Sequence, residues 1–154
     1  MHIPRRNPIV ALTLMAALVS LSGCASISGL GWAHTSEKEC LVRAMYFESN
    51  RSSPDGMLAV GSVVMNRVAD HRYPNSVCGV VGQKNQFAAG VLDRKMTEPR
   101  SVALAGQVAD SILRGKRHTG VKAAQHFHTA GLTFPYNNMH YVLVAGGNAF
   151  YEKR

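Results

Sequence analysis

Residues 54–68, Pro-Asp-Gly-Met-Leu-Ala-Val-Gly-Ser-Val-Val-Met-Asn-Arg-Val, constrain the fold more than any other stretch of the chain. Ser53 is a helix cap, Pro54 suits the first helical position, and Asp55 belongs in a first turn. Met57, Val60, Gly61, Val64 and Val68 mark one face, while Leu58, Ala59, Val63 and Met65 fill the others. A helix that is apolar nearly all round has to be wrapped by other elements. Its roughly ten apolar residues fall far short of the ~20 that cross a bilayer, so it reads as the central core helix of a globular domain. Asn66 and Arg67 close it, read as a buried amide anchoring a loop and a positive charge on the helix dipole.

At 154 residues, 46% of them hydrophobic, the chain has room for one domain with a real core. The formal charge is +8, with two of the positive charges on Arg5 and Arg6 in an N-terminal leader that carries no acid. That excess favours an anionic partner. The basic residues are scattered and do not alternate with aromatics in a run, so nucleic acid is not the expected partner, whereas an anionic envelope polymer fits.

The leader comprises residues 1–23: Arg5 and Arg6, the apolar run Ile9 to Leu21, and then Leu21-Ser22-Gly23-Cys24. This ending resembles a bacterial lipobox. The resemblance implies cleavage before Cys24, lipid on that cysteine, and a membrane anchor; an ordinary signal peptide or an N-terminal helix are the other readings. Ala25 follows in place of the Asp that retains such lipoproteins at the inner membrane, which implies the periplasmic face of the outer membrane. Residues 24–35, rich in Ser and Gly, then form a short tether ahead of a folded domain at 36–154. In an oxidising periplasm Cys40 and Cys78 are free to pair; two buried thiols are the other possibility.

Residues 36–50 predict a short helix ending on an acid. Ser36 and Glu39 form an S-x-x-E capping box, and Leu41, Ala44 and Met45 recur on one face. Glu48 falls on that face, where burial would raise its pKa into the range of a general acid; a carboxylate at a fraying helix end is the plainer reading. Pro99 to Arg114 predicts a third helix with Val102, Ala105, Ala109 and Ile112 inward, Asp110 outward four residues before Arg114, and Gly115 as its stop. A strand is expected at Gln125 to Thr129.

Five blocks, Tyr46-Phe47-Glu48, Asp55 to Val60, Val64 to Val68, Tyr73 to Val81 and Gln86-Phe87, fall in an order and spacing that resemble the SleB-type cell wall hydrolase family, named for a spore-cortex-lytic enzyme. The resemblance implies an α+β fold, a mainly helical lysozyme-like domain with a small antiparallel β-sheet. It also implies cleavage of peptidoglycan glycan strands, with Glu48 as the catalytic acid and no cofactor. The C-terminal part matches less closely: Asn148 stands where a histidine is usual, and Thr133 to Tyr136 lacks the expected tryptophan.

Glycosidic cleavage generally takes two carboxylates. Of the nine acids, most have another role in the predicted elements, leaving Asp70, Asp93 and Glu152 in loops or the tail. A single-acid route therefore fits better, and the family resemblance implies one: lytic transglycosylation at the MurNAc-GlcNAc bond, with Gln86, Tyr46, His126 and Tyr151 as candidate sugar-binding groups. Hydrolysis, and a lipoprotein that grips glycan without cutting it, stay open beside it. His126-x-His128 on a strand invites a metal reading, but no third ligand stands at a recognisable spacing, so no metal is expected. Oligomeric state is not legible.

Overall fold

The computed structural model describes residues 36–154; the leader, the tether and the lipidation expected at Cys24 lie outside the described residues. Helix α1 (Glu37–Glu48) starts where Ser36 accepts the amide of Glu39 at 3.1 Å. Only that half of the predicted capping box is used, since the Glu39 carboxylate turns forward to Arg43 at 2.8 Å. Helix α2 (Pro54–Val68) has the predicted start, with Ser53 Oγ accepting from Gly56 N at 3.0 Å and Pro54 at the first position.

Helix α2 is the centre of the molecule, as its composition requires. Met57, Ala59, Val60, Val63 and Val64 are fully buried. Around it stand α1, α3 (Val77–Val81) and α4 (Pro99–Leu113). From α1 come Leu41, Ala44 and Met45; from α4 come Ala105, Ala109 and Ile112, three of the four inward positions its spacing predicted, Val102 being only partly buried. Asp110 differs from expectation: it pairs with Lys38 of α1 at 2.7 Å, not with Arg114 in its own helix, because α1 and α4 lie side by side. A disulfide joins Cys40 to Cys78, tying α1 to α3.

A three-stranded antiparallel sheet completes the α+β domain, in the order β1 (His126–Thr129), β3 (Asn148–Lys153), β2 (Met139–Ala145). Strand β2, which carries His140, is absent from the sequence-based expectation. Strands β2 and β3 join through Gly146 and Gly147, whose φ values of 55° and 83° are those of a tight hairpin turn that only glycine adopts freely. That turn docks on the start of α2. Asn50 N donates to Gly146 O at 3.0 Å, and a Cβ on Gly56 or on Gly146 would stand 2.4 Å from the other's Cα. Asn66 anchors the loop before β1, donating to Lys122 O and Ala124 O at 2.9 Å each, the role predicted for it.

Candidate active site

Glu48 is the last residue of α1 and is half-buried. Two groups fix it. The backbone amide of Ala88 donates to its carboxylate, and the Asn148 side chain donates to its main-chain oxygen at 2.6 Å. Burial raises the Glu48 pKa above the ordinary carboxylate value. The Ala88 amide and the Arg67 and Arg94 guanidinium groups pull it back down without cancelling the effect. No carboxylate bears on it. The other eight acids of the chain are all among the described residues, and most are engaged elsewhere: Asp55 with His118, Asp70 with Arg72, Glu98 with Arg51, Asp110 with Lys38 and Glu152 with Arg154.

Arg67 is the residue whose place the sequence did not reveal. Only 4% exposed, it donates from Nε to Gln125 O at 2.8 Å and stands 5.4 Å from the rings of both Tyr73 and Phe87. One terminal nitrogen, Nη1, is buried without a hydrogen-bond partner. Its charge bears on Glu48, His126 and Tyr151 alike, so it stands at the centre of the site and not merely at a helix end. A cation in the last turn of an otherwise apolar helix was the available signal, since a buried charge is seldom kept without a task.

Strands β1 and β3 bring His126 and Tyr151 into register, and their rings stack at 5.3 Å. Burial, followed by the charges of Lys153, Arg67 and Arg72, lowers His126 to about 4, so at neutral pH it is an uncharged imidazole able to hydrogen-bond but not to donate a proton as an acid. Burial raises the Tyr151 phenol. His126 lines a polar hollow of about 370 Å³ with Asp70, Arg72 and Gln125; Tyr151 lines another of about 300 Å³ with His128. Phe87 and Ala88, beside Glu48, line a third of about 260 Å³.

Of the predicted site residues, then, Glu48, His126 and Tyr151 all lie within the electrostatic reach of Arg67. Gln86 is exposed in the loop two residues before Ala88. Tyr46 is placed elsewhere: it is 1% exposed and its hydroxyl accepts the amides of Thr97 and Glu98 at 3.1 and 3.2 Å, so it fastens the loop ahead of α4 and offers nothing to a ligand. His128 shares a face with His126, but its ring nitrogens meet Thr129 O and the Tyr141 hydroxyl, both at 2.8 Å. Among the described residues no three His, Cys, Asp or Glu side chains cluster as a metal site would require.

A small α+β domain with a half-buried glutamate of raised pKa, no second carboxylate bearing on it, and a sheet face lined with rings has the build of an enzyme acting on a large polar substrate. Residues 51–151 match the cell wall hydrolase family model, and the chain belongs to that family. The matched span begins just after Glu48, so the assignment of Glu48 stands on the geometry above. The fold is similar to the catalytic domain of the germination-specific lytic transglycosylase SleB from Bacillus anthracis, with a TM-score of 0.61 and 23% identity over 80% of this chain and 99% of that one. It is equally similar to the SleB catalytic domain from Bacillus cereus, with a TM-score of 0.62 and 22% identity over 80% and 94% of the two chains. No curated protein matches the sequence.

Proposed function

We propose that this cell wall hydrolase cleaves the glycan strands of peptidoglycan by lytic transglycosylation at the MurNAc-GlcNAc bond, with Glu48 as its one acid and base. The observation that carries the proposal is the half-buried Glu48 carboxyl at the end of α1, held by the Ala88 amide with no second carboxylate bearing on it; burial raises its pKa. A carboxyl group that burial biases toward its protonated form can give its proton to the leaving glycosidic oxygen. The resulting carboxylate, favoured by the nearby positive charges of Arg67 and Arg94, can take the proton of the muramic acid C6 hydroxyl as that oxygen attacks C1. The product is a 1,6-anhydro end, and no water enters. Such a route needs no second carboxylate, in keeping with the engagement of the other acids described above.

The SleB proteins of similar fold, one of them named a lytic transglycosylase, support the same reading. So does the basic surplus of the chain, which suits an anionic polymer. We assign Cys24 as the lipidated residue, with residues 24–35 as the tether that keeps the domain near the outer membrane; metabolic labelling with a fatty-acid analogue, lost in Cys24→Ala, tests that part. The enzymatic reading is tested by digesting purified sacculi with the wild type and Glu48→Gln and weighing the released sugar ends. Anhydro ends that vanish in the variant are expected. Reducing ends one water heavier would assign the reaction to hydrolysis, and co-sedimentation without release would leave only binding.

A further inference from the structure

An antiparallel sheet with one face on the core normally turns polar side chains to solvent on the other. Here Phe127 and Phe150 face the core, while the opposite face carries rings that touch one another. His126, His128, Tyr141 and Tyr151 form pairs with centroids 5.3 to 5.7 Å apart. The loop between β1 and β2 extends this surface: Phe134 meets His128 edge-on at 4.7 Å, and Tyr136 lies nearly parallel to Phe134 at 6.3 Å. Phe134 is 38% exposed and Tyr136 64%. Together with Tyr151 they enclose the hollow of about 300 Å³, and Asn138 and Lys153 give it polar edges. Clustered exposed rings around a concave, polar-edged hollow mark a binding site.

We infer that this hollow is a second glycan subsite, which holds an N-acetylated hexosamine of the bound strand away from the bond that is cut. The inference rests on the proposed function and extends it to substrate length. A pyranose offers an apolar C–H face to a flat ring and hydroxyls at its rim to Asn138, and the Lys153 ammonium suits the acidic substituent that alternate sugars of such a strand carry. The position follows from β3. Asn148 holds the Glu48 carbonyl from the face that Phe150 shares, and Tyr151 and Lys153 lie three and five residues further on, on the other face; at ~3.4 Å per residue the hollow is roughly 10 to 17 Å along the strand from that anchor, around the sheet from it. That is more than one sugar ring away, so strands too short to reach both places should bind poorly.

The test uses the full chain carrying Glu48→Gln, so that nothing is cut, titrated calorimetrically with a pentamer and with a dimer of N-acetylglucosamine. Adding Phe134→Ala and Tyr136→Ala should weaken pentamer binding about tenfold, the scale of losing contact aromatics, and dimer binding much less. Tyr136→Phe, which keeps the ring, should retain most of the affinity and guards against a misfolded loop. Equal pentamer affinity with and without the two rings, or no pentamer binding at all, would overturn the inference. Failure of the catalytic reading is seen separately, as absence of sugar release from sacculi by the wild type.

Discussion

The side-chain amide of Asn148 donates to the main-chain oxygen of Glu48 at 2.6 Å, joining residues 100 positions apart in the chain. Glu48 ends α1, so its carbonyl is one of those a helix leaves without an internal partner. Asn148 is 7% exposed and begins β3, so the bond fastens the sheet to the end of the helix that carries the acid. Replacing it with Ala should cost about 1 to 3 kcal/mol, the penalty of stranding a buried acceptor. Urea denaturation measures this, and sacculus digestion should fall further than the stability loss explains.

Glu48→Gln should make the folded protein more stable at neutral pH. The folded-state pKa is raised, so the folded form binds more protons than the unfolded one between the ordinary value of 4.5 and the raised value. Stability contributed by the protonated acid is present below 4.5 and is lost as pH rises through the folded pKa. The neutral amide has no such loss. Melting temperatures of the two proteins should diverge as pH rises and converge in acid; parallel curves would contradict a raised pKa.

Arg67→Met should move the alkaline limb of the pH–rate profile to higher pH. Removing a cation that favours the charged carboxylate leaves burial less opposed, so Glu48 holds its proton longer. Arg67→Lys, which keeps the charge, should return the limb toward its original place. A general loss of packing would lower the rate at all pH values and leave the limb where it was.

His126 should remain uncharged down to about pH 4, visible as ring resonances that do not shift between pH 8 and 5. Because its folded pKa lies below the ordinary 6.5, its contribution to stability is present above 6.5 and is lost as pH falls toward 4. His126→Gln should flatten that part of the stability curve.

Breaking the Cys40–Cys78 bond by a double Ala substitution should destabilise the domain by about 4 kcal/mol, on the chain-entropy estimate for a separation of 38 residues. The same shift should appear in the wild type on reduction.

The helices were legible because their information is local. Ser36 and Ser53 announce α1 and α2, and three of the four positions spaced along 99–114 lead directly to the buried stripe of α4. Strand β2 was not, although Tyr141, Val142 and Val144 are residues that favour strands: the pairing with β3 slips between Tyr141 and Leu143, and such an irregularity breaks the alternation by which a strand is recognised. Glu48 could be singled out by its position on the buried face. Its neighbours could not, since Ala88 contributes only a backbone amide, which no side chain announces, Asn148 bonds to it from 100 residues away, and Arg67 acts on it through its charge from another helix. Tyr46 was misjudged because an aromatic next to a candidate acid says nothing of which way α1 is turned, and here it is turned inward.

The bare backbones of Gly56 and Gly146 set the spacing between two halves of the domain. A single methyl group at either position would act as a wedge, prising the hairpin from the helices and drawing Asn148 off its anchor. The spacing between the helix end that carries Glu48 and the sheet is thus gauged by two residues that have no side chain.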